Sequence, residues 1–132
     1  MILSFSDRYR YFVYHSCCDM RKGYDSLSGI VRNEFLMNPL SGDVFIFFSK
    51  GRNKIKILFW QGDGFVIYSK RLERGTYEWS LNKSVEKYKT ISSQQLQFIL
   101  EGISLLSVKK RVRYEHHFVD KKSVIPGVSA MV

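Results

Sequence analysis

The sequence predicts one α+β domain, an antiparallel sheet of three to five strands packed by two helices. Met20, Tyr24, Leu27, Val31 and Phe35 recur at spacings of three and four, which puts them on one stripe of a helix. Three short apolar or alternating runs follow, at Val44–Phe48, Lys54–Trp60 and residues 65–70, separated by turn-forming clusters. A chain of 132 residues, 45% hydrophobic and 15% aromatic, fits a single buried core.

Taken in order, residues 8–15 read as a strand, with Tyr9, Tyr11, Val13 and His15 alternating against Arg10, Phe12 and Tyr14. The first helix spans residues 20–35. Asp19 is its expected N-cap, with a carboxylate for the free amides of the first turn. Asn38-Pro39 ends it, because proline disfavours a helical residue before it. The three runs then form a meander. Ser49-Lys50-Gly51-Arg52-Asn53 is the first turn, and Gln61-Gly62-Asp63-Gly64, with its Asp-Gly pair, is the second. Residues 77–79 are read as a possible short addition to the sheet and residues 80–91 as a polar connection. Ser92 or Ser93 caps the second helix, with Leu96, Ile99, Leu100 and Ile103 on one face and Gly102 at its end. That helix is expected over an edge or an end of the sheet. Residues 108–118 alternate basic and other side chains, as an edge strand would, and the Pro126-Gly127 region reads as a loose tail. The expected organisation is one domain over residues 1–118 and a tail over 119–132.

Charge and cysteine usage narrow the function. The net charge of +9 is uneven: residues 1–49 carry five basic and five acidic side chains, whereas residues 50–74 carry seven basic and two acidic. Such a field attracts polyanions. No apolar run approaches a membrane span, and the N-terminus lacks the basic start and apolar core of a secretory signal. The expected location is the cytoplasm. Cys17 and Cys18 are adjacent, a spacing at which an internal disulfide is strained, and they are expected as reduced thiols.

Three basic groups stand out. On a strand spanning Lys54–Trp60, Lys54 and Lys56 share one face, and Ile55, Ile57 and Phe59 share the other. An even hairpin loop aligns Lys54 and Lys56 with Ser69 and Arg71, while Val66 and Tyr68 join the apolar face. Arg52 would extend the basic side, and Trp60 and Phe65 would sit nearer the turn on that side. This ribbon either contacts a DNA groove or phosphate backbone, or simply solvates the outer face of a sheet. Arg21 and Lys22 are cations at a helix start, where the dipole favours anions. They either hold a phosphate, or pair with Asp19, Asp25 or Glu34, or precede a helix that begins later, at Gly23. Lys109-Lys110-Arg111-Val112-Arg113 is either a phosphate-docking segment or a solvated run.

Catalysis is not expected. Asp7, Asp19, Asp25, Asp43 and Asp63 are scattered over turns and helix starts, without the grouping that metal-dependent DNA cleavage needs. His15, Cys17, Cys18, His116 and His117 lack a zinc spacing. Gly62, Gly64 and Gly75 fit turns, not a phosphate loop, and no RNP-type aromatic block is present. No metal, cofactor or catalytic residue is therefore assigned.

A set of separate blocks carries a family resemblance. They are Asp19-Met20-Arg21-Lys22-Gly23, Asn38-Pro39-Leu40-Ser41-Gly42, Arg52-Asn53-Lys54-Ile55-Lys56-Ile57-Leu58-Phe59-Trp60, Gly64-Phe65, Lys70-Arg71-Leu72-Glu73-Arg74-Gly75 and Trp79. In this order the chain resembles the small accessory proteins called TnpB of the sixty-six type of bacterial insertion sequence, over about half its length. The resemblance implies a non-enzymatic role in DNA transposition, with the insertion-element ends, the transposase, or both as partners. It also makes Arg21, Lys22, Arg52, Lys54, Lys56, Lys70 and Arg71 the candidate nucleic-acid-binding residues. The alternative is an adapter for the transposase with no DNA contact, in which Tyr9, Tyr11, Tyr24, Trp60 and Trp79 are either interface anchors or core. The sequence departs from the family pattern at Gln61, Ser80 and Ser16-Cys17-Cys18, where the family usually has an acid, a proline and a Gly/Pro/Thr-like stretch.

Overall fold

The computed structural model describes residues 6–79 and 86–102. The expected strand over 108–118, the 109–113 basic cluster, the paired histidines and the tail lie outside the described residues, as does the boundary at 118.

Strands β1 (Tyr11–Cys17), β2 (Val44–Phe48), β3 (Lys54–Trp60), β4 (Phe65–Arg71) and β5 (Tyr88–Ile91) form one sheet in the order β4-β3-β2-β1-β5. With helices α1 (Tyr24–Ile30) and α2 (Ser93–Glu101), this is the expected α+β class. The sheet is antiparallel except for β1 and β2, which run parallel with Tyr11 opposite Val44 and Phe12 opposite Phe45. Parallel neighbours need a long crossover. The helical segment supplies it, as α1 continues into a π-helical stretch over Val31–Phe35. Leu36, in the left-handed region at φ 56°, ends that stretch just ahead of Asn38-Pro39.

Three sequence expectations are corrected here. First, Asp19 is not the N-cap of α1. The helix begins at Tyr24 behind Gly23, while Asp19 closes its own turn by accepting from the Arg21 amide at 2.9 Å. Second, residues 77–79 form no strand. The Tyr77 amide donates to the Arg52 carbonyl at 2.7 Å, pinning the segment to the β2–β3 turn, and the Tyr77 ring packs in the core against Phe48. Third, the connection over residues 80–91 contains β5, which pairs antiparallel with β1. Four residues, Tyr88-Lys89-Thr90-Ile91, are too few to show a periodicity, so only the long-range pairing reveals them.

The sheet is covered on both faces. On one side α1 and its extension bury Leu27, Val31 and Phe35 against Phe12, Tyr14, Phe45, Phe47 and Leu58. Phe35 stacks on Tyr88 and meets Phe45 edge-on, in the offset and T-shaped arrangements aromatic rings favour. On the other side Leu72, Tyr77 and α2 residues Leu96 and Ile99 close over Val13, Ile46, Phe48, Ile55 and Ile57. Strand β2 is consequently buried at all five positions, which explains its continuous apolar run. Helix α2 leaves β5 through Ser92, whose hydroxyl accepts from the Gln95 amide while the Gln95 side chain accepts from the Ser92 amide. Gly102 ends it at φ 82°. The sequence offered Ser92 or Ser93 as the cap and Gly102 as the end, and the structure selects Ser92 and adds Gln95 as its reciprocal partner.

Candidate nucleic-acid interface

The β3–β4 hairpin has the register the sequence implies. Lys54 lies opposite Arg71, Lys56 opposite Ser69, Leu58 opposite Ile67 and Trp60 opposite Phe65. Directly paired residues share a face. Lys54, Lys56 and Arg71 therefore stand on one side of the ribbon, at its open end, and this is the side on which α1 packs. The hairpin is not a free two-faced ribbon. Toward its turn the same face is apolar, Phe65 and Ile67 packing against the α1 cluster and Trp60 meeting Phe65 edge-on at 5.0 Å. Only the open end, where α1 no longer covers it, is cationic.

The Asp19–Gly23 turn reaches this end. The Lys56 ammonium donates to the Lys22 carbonyl at 2.8 Å. Lys22 and Lys56 also flank Cys18: burial pushes its thiol up to about 11, and both ammonium groups oppose that rise. The structure thus brings Lys22, Lys54, Lys56 and Arg71 into one neighbourhood, from two segments well separated in sequence. Arg71 is the member with an ion pair, to Glu73 at 3.4 Å, and both side chains are largely exposed. No ion pair is seen for Lys22, Lys54 or Lys56 among the described residues.

Arg21 sits in the same turn with its charge already matched. Its guanidinium makes a forked pair with Asp19, closing to 2.7 Å, and these hydrogen bonds hold the Asp19 carboxyl well below the usual carboxylate range. The pairing, and the late start of α1, resolve the apparent conflict with the helix dipole.

Arg52 and Lys70 do not join the group. Arg52 occupies the β2–β3 turn at φ 59° and its guanidinium donates to the Trp79 carbonyl at 3.3 Å. Trp79 stacks on Phe48 of the opposite core, so Arg52 is turned toward the other layer and does not extend the basic side. Lys70 pairs with Ile55, which places it on that other face too. Sequence reasoning missed Lys89, whose ammonium lies 5.7 Å from the centre of the Trp79 ring. No local pattern signals it, because β5 itself is visible only through its pairing.

The remaining polar clusters are structural. Asp43 is buried and receives a forked pair from Arg10, at 3.0 and 2.7 Å, and a hydrogen bond from the Ser41 hydroxyl. Tyr14 donates to Glu34, tying β1 to the helical extension. Cys17 is exposed, Cys18 is buried, and both are free thiols. Among the described residues no three His, Cys, Asp or Glu side chains gather as a metal site would require, and no helix is long and apolar enough to cross a membrane. Tyr11 is core, at 1% exposed, while Tyr9 and Tyr24 are exposed and Trp60 and Trp79 are partly buried.

Comparison with known proteins adds the family. The profile of the family described as IS66 Orf2 like protein matches residues 9–110. An uncharacterized protein of Sinorhizobium fredii, y4hO, is 34% identical over 85 residues, covering 64% of this chain and 72% of its own length. A second uncharacterized protein of that organism, y4jC, is 26% identical over 93 residues, covering 70% and 78% respectively. No solved structure matches.

Proposed function

The chain belongs to the IS66 Orf2-like protein family, and from that premise we propose that it is a non-enzymatic accessory factor in the transposition of an insertion sequence. It works in the cytoplasm by direct contact with the element's DNA. The observation that favours DNA is the cross-strand pair of Lys54 and Arg71. Like charges directly opposite on a sheet destabilise it. Here two exposed cations are so placed, with Lys56 and Lys22 beside them, and among the described residues only Arg71 of the four has a carboxylate partner, Glu73 at 3.4 Å. A phosphate backbone relieves that repulsion, positioning the protein without reading sequence.

The test is a mobility shift on labelled insertion-element ends across a salt series. Affinity falls steeply with salt as counterions are released. Replacing Lys22, Lys54, Lys56 and Arg71 with alanine weakens binding and reduces the slope of log K against log salt by roughly three to four. Unchanged affinity in the folded variant rules this face out. Neither protein nicks the DNA with magnesium or manganese.

A second reading, an adapter that binds the transposase, is favoured by a different observation. Leu36 is 82% exposed, Tyr24 53% and Leu40 49%, all on α1 or the loop that leaves it. Association with the transposase that survives nuclease treatment supports this reading.

A further inference from the structure

Strand β4 is an edge strand whose hydrogen-bonding phase can be read from its two ends. The Gln61 amide donates to the Gly64 carbonyl at 2.9 Å, and the Leu72 amide donates to the Asn53 carbonyl at 2.7 Å. Between these points the β3–β4 register runs without a bulge. Hydrogen-bonded and non-hydrogen-bonded pairs alternate along an antiparallel ladder. Val66, Tyr68 and Lys70 therefore bond to β3, while the amides and carbonyls of Phe65, Ile67, Ser69 and Arg71 point away from it. Among the described residues no strand lies beyond them.

The first four side chains of this edge are not those of a protected one, while Lys70 and Arg71 at its open end are exposed cations. Phe65, Val66, Ile67 and Tyr68 are all half-exposed, apolar on both faces of the sheet, and the strand contains no proline. Such an edge is a template for another strand. Its charges select the partner and the register. Asp63 is exposed at the turn end, and Arg71 is exposed at the open end. An antiparallel copy of the same strand, with the twofold axis at Ile67, sets Arg71 opposite the partner's Asp63 at both ends. The same axis sets Ile67 opposite the partner's Ile67 and Phe65 opposite the partner's Ser69. Phe65, Ile67, Ser69 and Arg71 are positions whose amides and carbonyls point outward, and Asp63 lies in the turn just before the strand. Val66 then faces the partner's Tyr68 on the other side, a favourable β-branched–aromatic pair. Moving the axis one residue, to Tyr68, sets Glu73 opposite the partner's Asp63, two like charges.

We infer that β4 pairs with β4 of a second copy of this chain, antiparallel about Ile67, joining two five-stranded sheets into one. The pairing is independent of DNA. It forms six backbone hydrogen bonds and two ion pairs, and it is an isologous interface that closes at two subunits.

Sedimentation of the full chain without DNA, over a dilution series, tests it. The expected result is a dimer that dissociates on dilution. Ser69→Pro deletes an outward amide and no bond to β3, a place where an edge strand accepts proline. It raises the dissociation constant by roughly 10- to 30-fold, since the twofold axis doubles the loss. Asp63→Arg alone and Arg71→Asp alone each weaken the dimer, and the Asp63→Arg/Arg71→Asp double variant restores it. If Ser69→Pro loses its native circular dichroism, the charge series alone decides. A monomer at every concentration, a dimer indifferent to Ser69→Pro, or a double variant that fails to recover each overturns the inference. So does a monomer in which the Ser69 amide resists hydrogen exchange, which would assign the edge to another segment of the same chain.

Discussion

The ammonium of Lys56 donates a hydrogen bond to the backbone carbonyl of Lys22 at 2.8 Å. A side chain of the interior strand β3 thereby fixes the turn that precedes α1, and it does so in the middle of the cationic group. The same residue is both a structural tie and part of the proposed DNA surface.

Lys56→Met tests the tie. It keeps the aliphatic stem and removes the charge-assisted bond, which is half-buried. Urea unfolding should show a loss of about 1–2 kcal/mol, and amides of residues 19–23 should exchange faster. Lys54→Ala, at an exposed position with no bond to the turn, should stay within about 0.5 kcal/mol.

Cys18 should be the slow thiol. Burial raises it from 9.0 to about 11, so at pH 8 it is held as the unreactive thiol inside the folded protein. Alkylation at pH 8 followed by peptide mapping should label exposed Cys17 and spare Cys18. The sign of the linkage follows. Between about pH 9 and 11 the unfolded chain has lost this proton and the folded chain keeps it, so stability falls as pH rises through that window. Cys18→Ala should flatten that part of the stability profile, apart from a pH-independent loss of packing.

Arg52 tests backbone strain. At φ 59° the left-handed region admits glycine freely and β-branched residues poorly. Arg52→Gly should keep the melting temperature within a few degrees despite losing the bond to Trp79. Arg52→Val should cost about 1–3 kcal/mol. Neither change should alter the fold of the hairpin as judged by circular dichroism.

The capping box of α2 is reciprocal. Ser92→Ala should cost about 1 kcal/mol. Because Ser92 and Gln95 each satisfy the other's amide, at 3.0 and 2.9 Å, a double-mutant cycle with Gln95→Ala should show non-additive losses. Additive losses would mean the two bonds form independently.

Much of this protein is determined locally, and those parts were legible. Val44–Phe48 and Lys54–Trp60 were read with their observed bounds, because short apolar or alternating runs between turn residues specify strands whatever packs on them. The hairpin register followed from an even loop, and α2 from a cap at Ser92 or Ser93 and an end at Gly102. Tertiary structure decided the rest, through contacts distant in sequence. Four-residue β5 exists because β1 offers it an edge, and β1 and β2 lie parallel because α1 crosses between them. The cationic face was readable in its register but not in its surroundings. Covering by α1 confines it to one end, Lys56 reaches back to Lys22, and the Trp79 carbonyl draws Arg52 to the other layer. Periodicity assigns a side chain to a face of its own strand. Which layer then covers that face, and which distant carbonyl a long cation finds, depends on the whole fold.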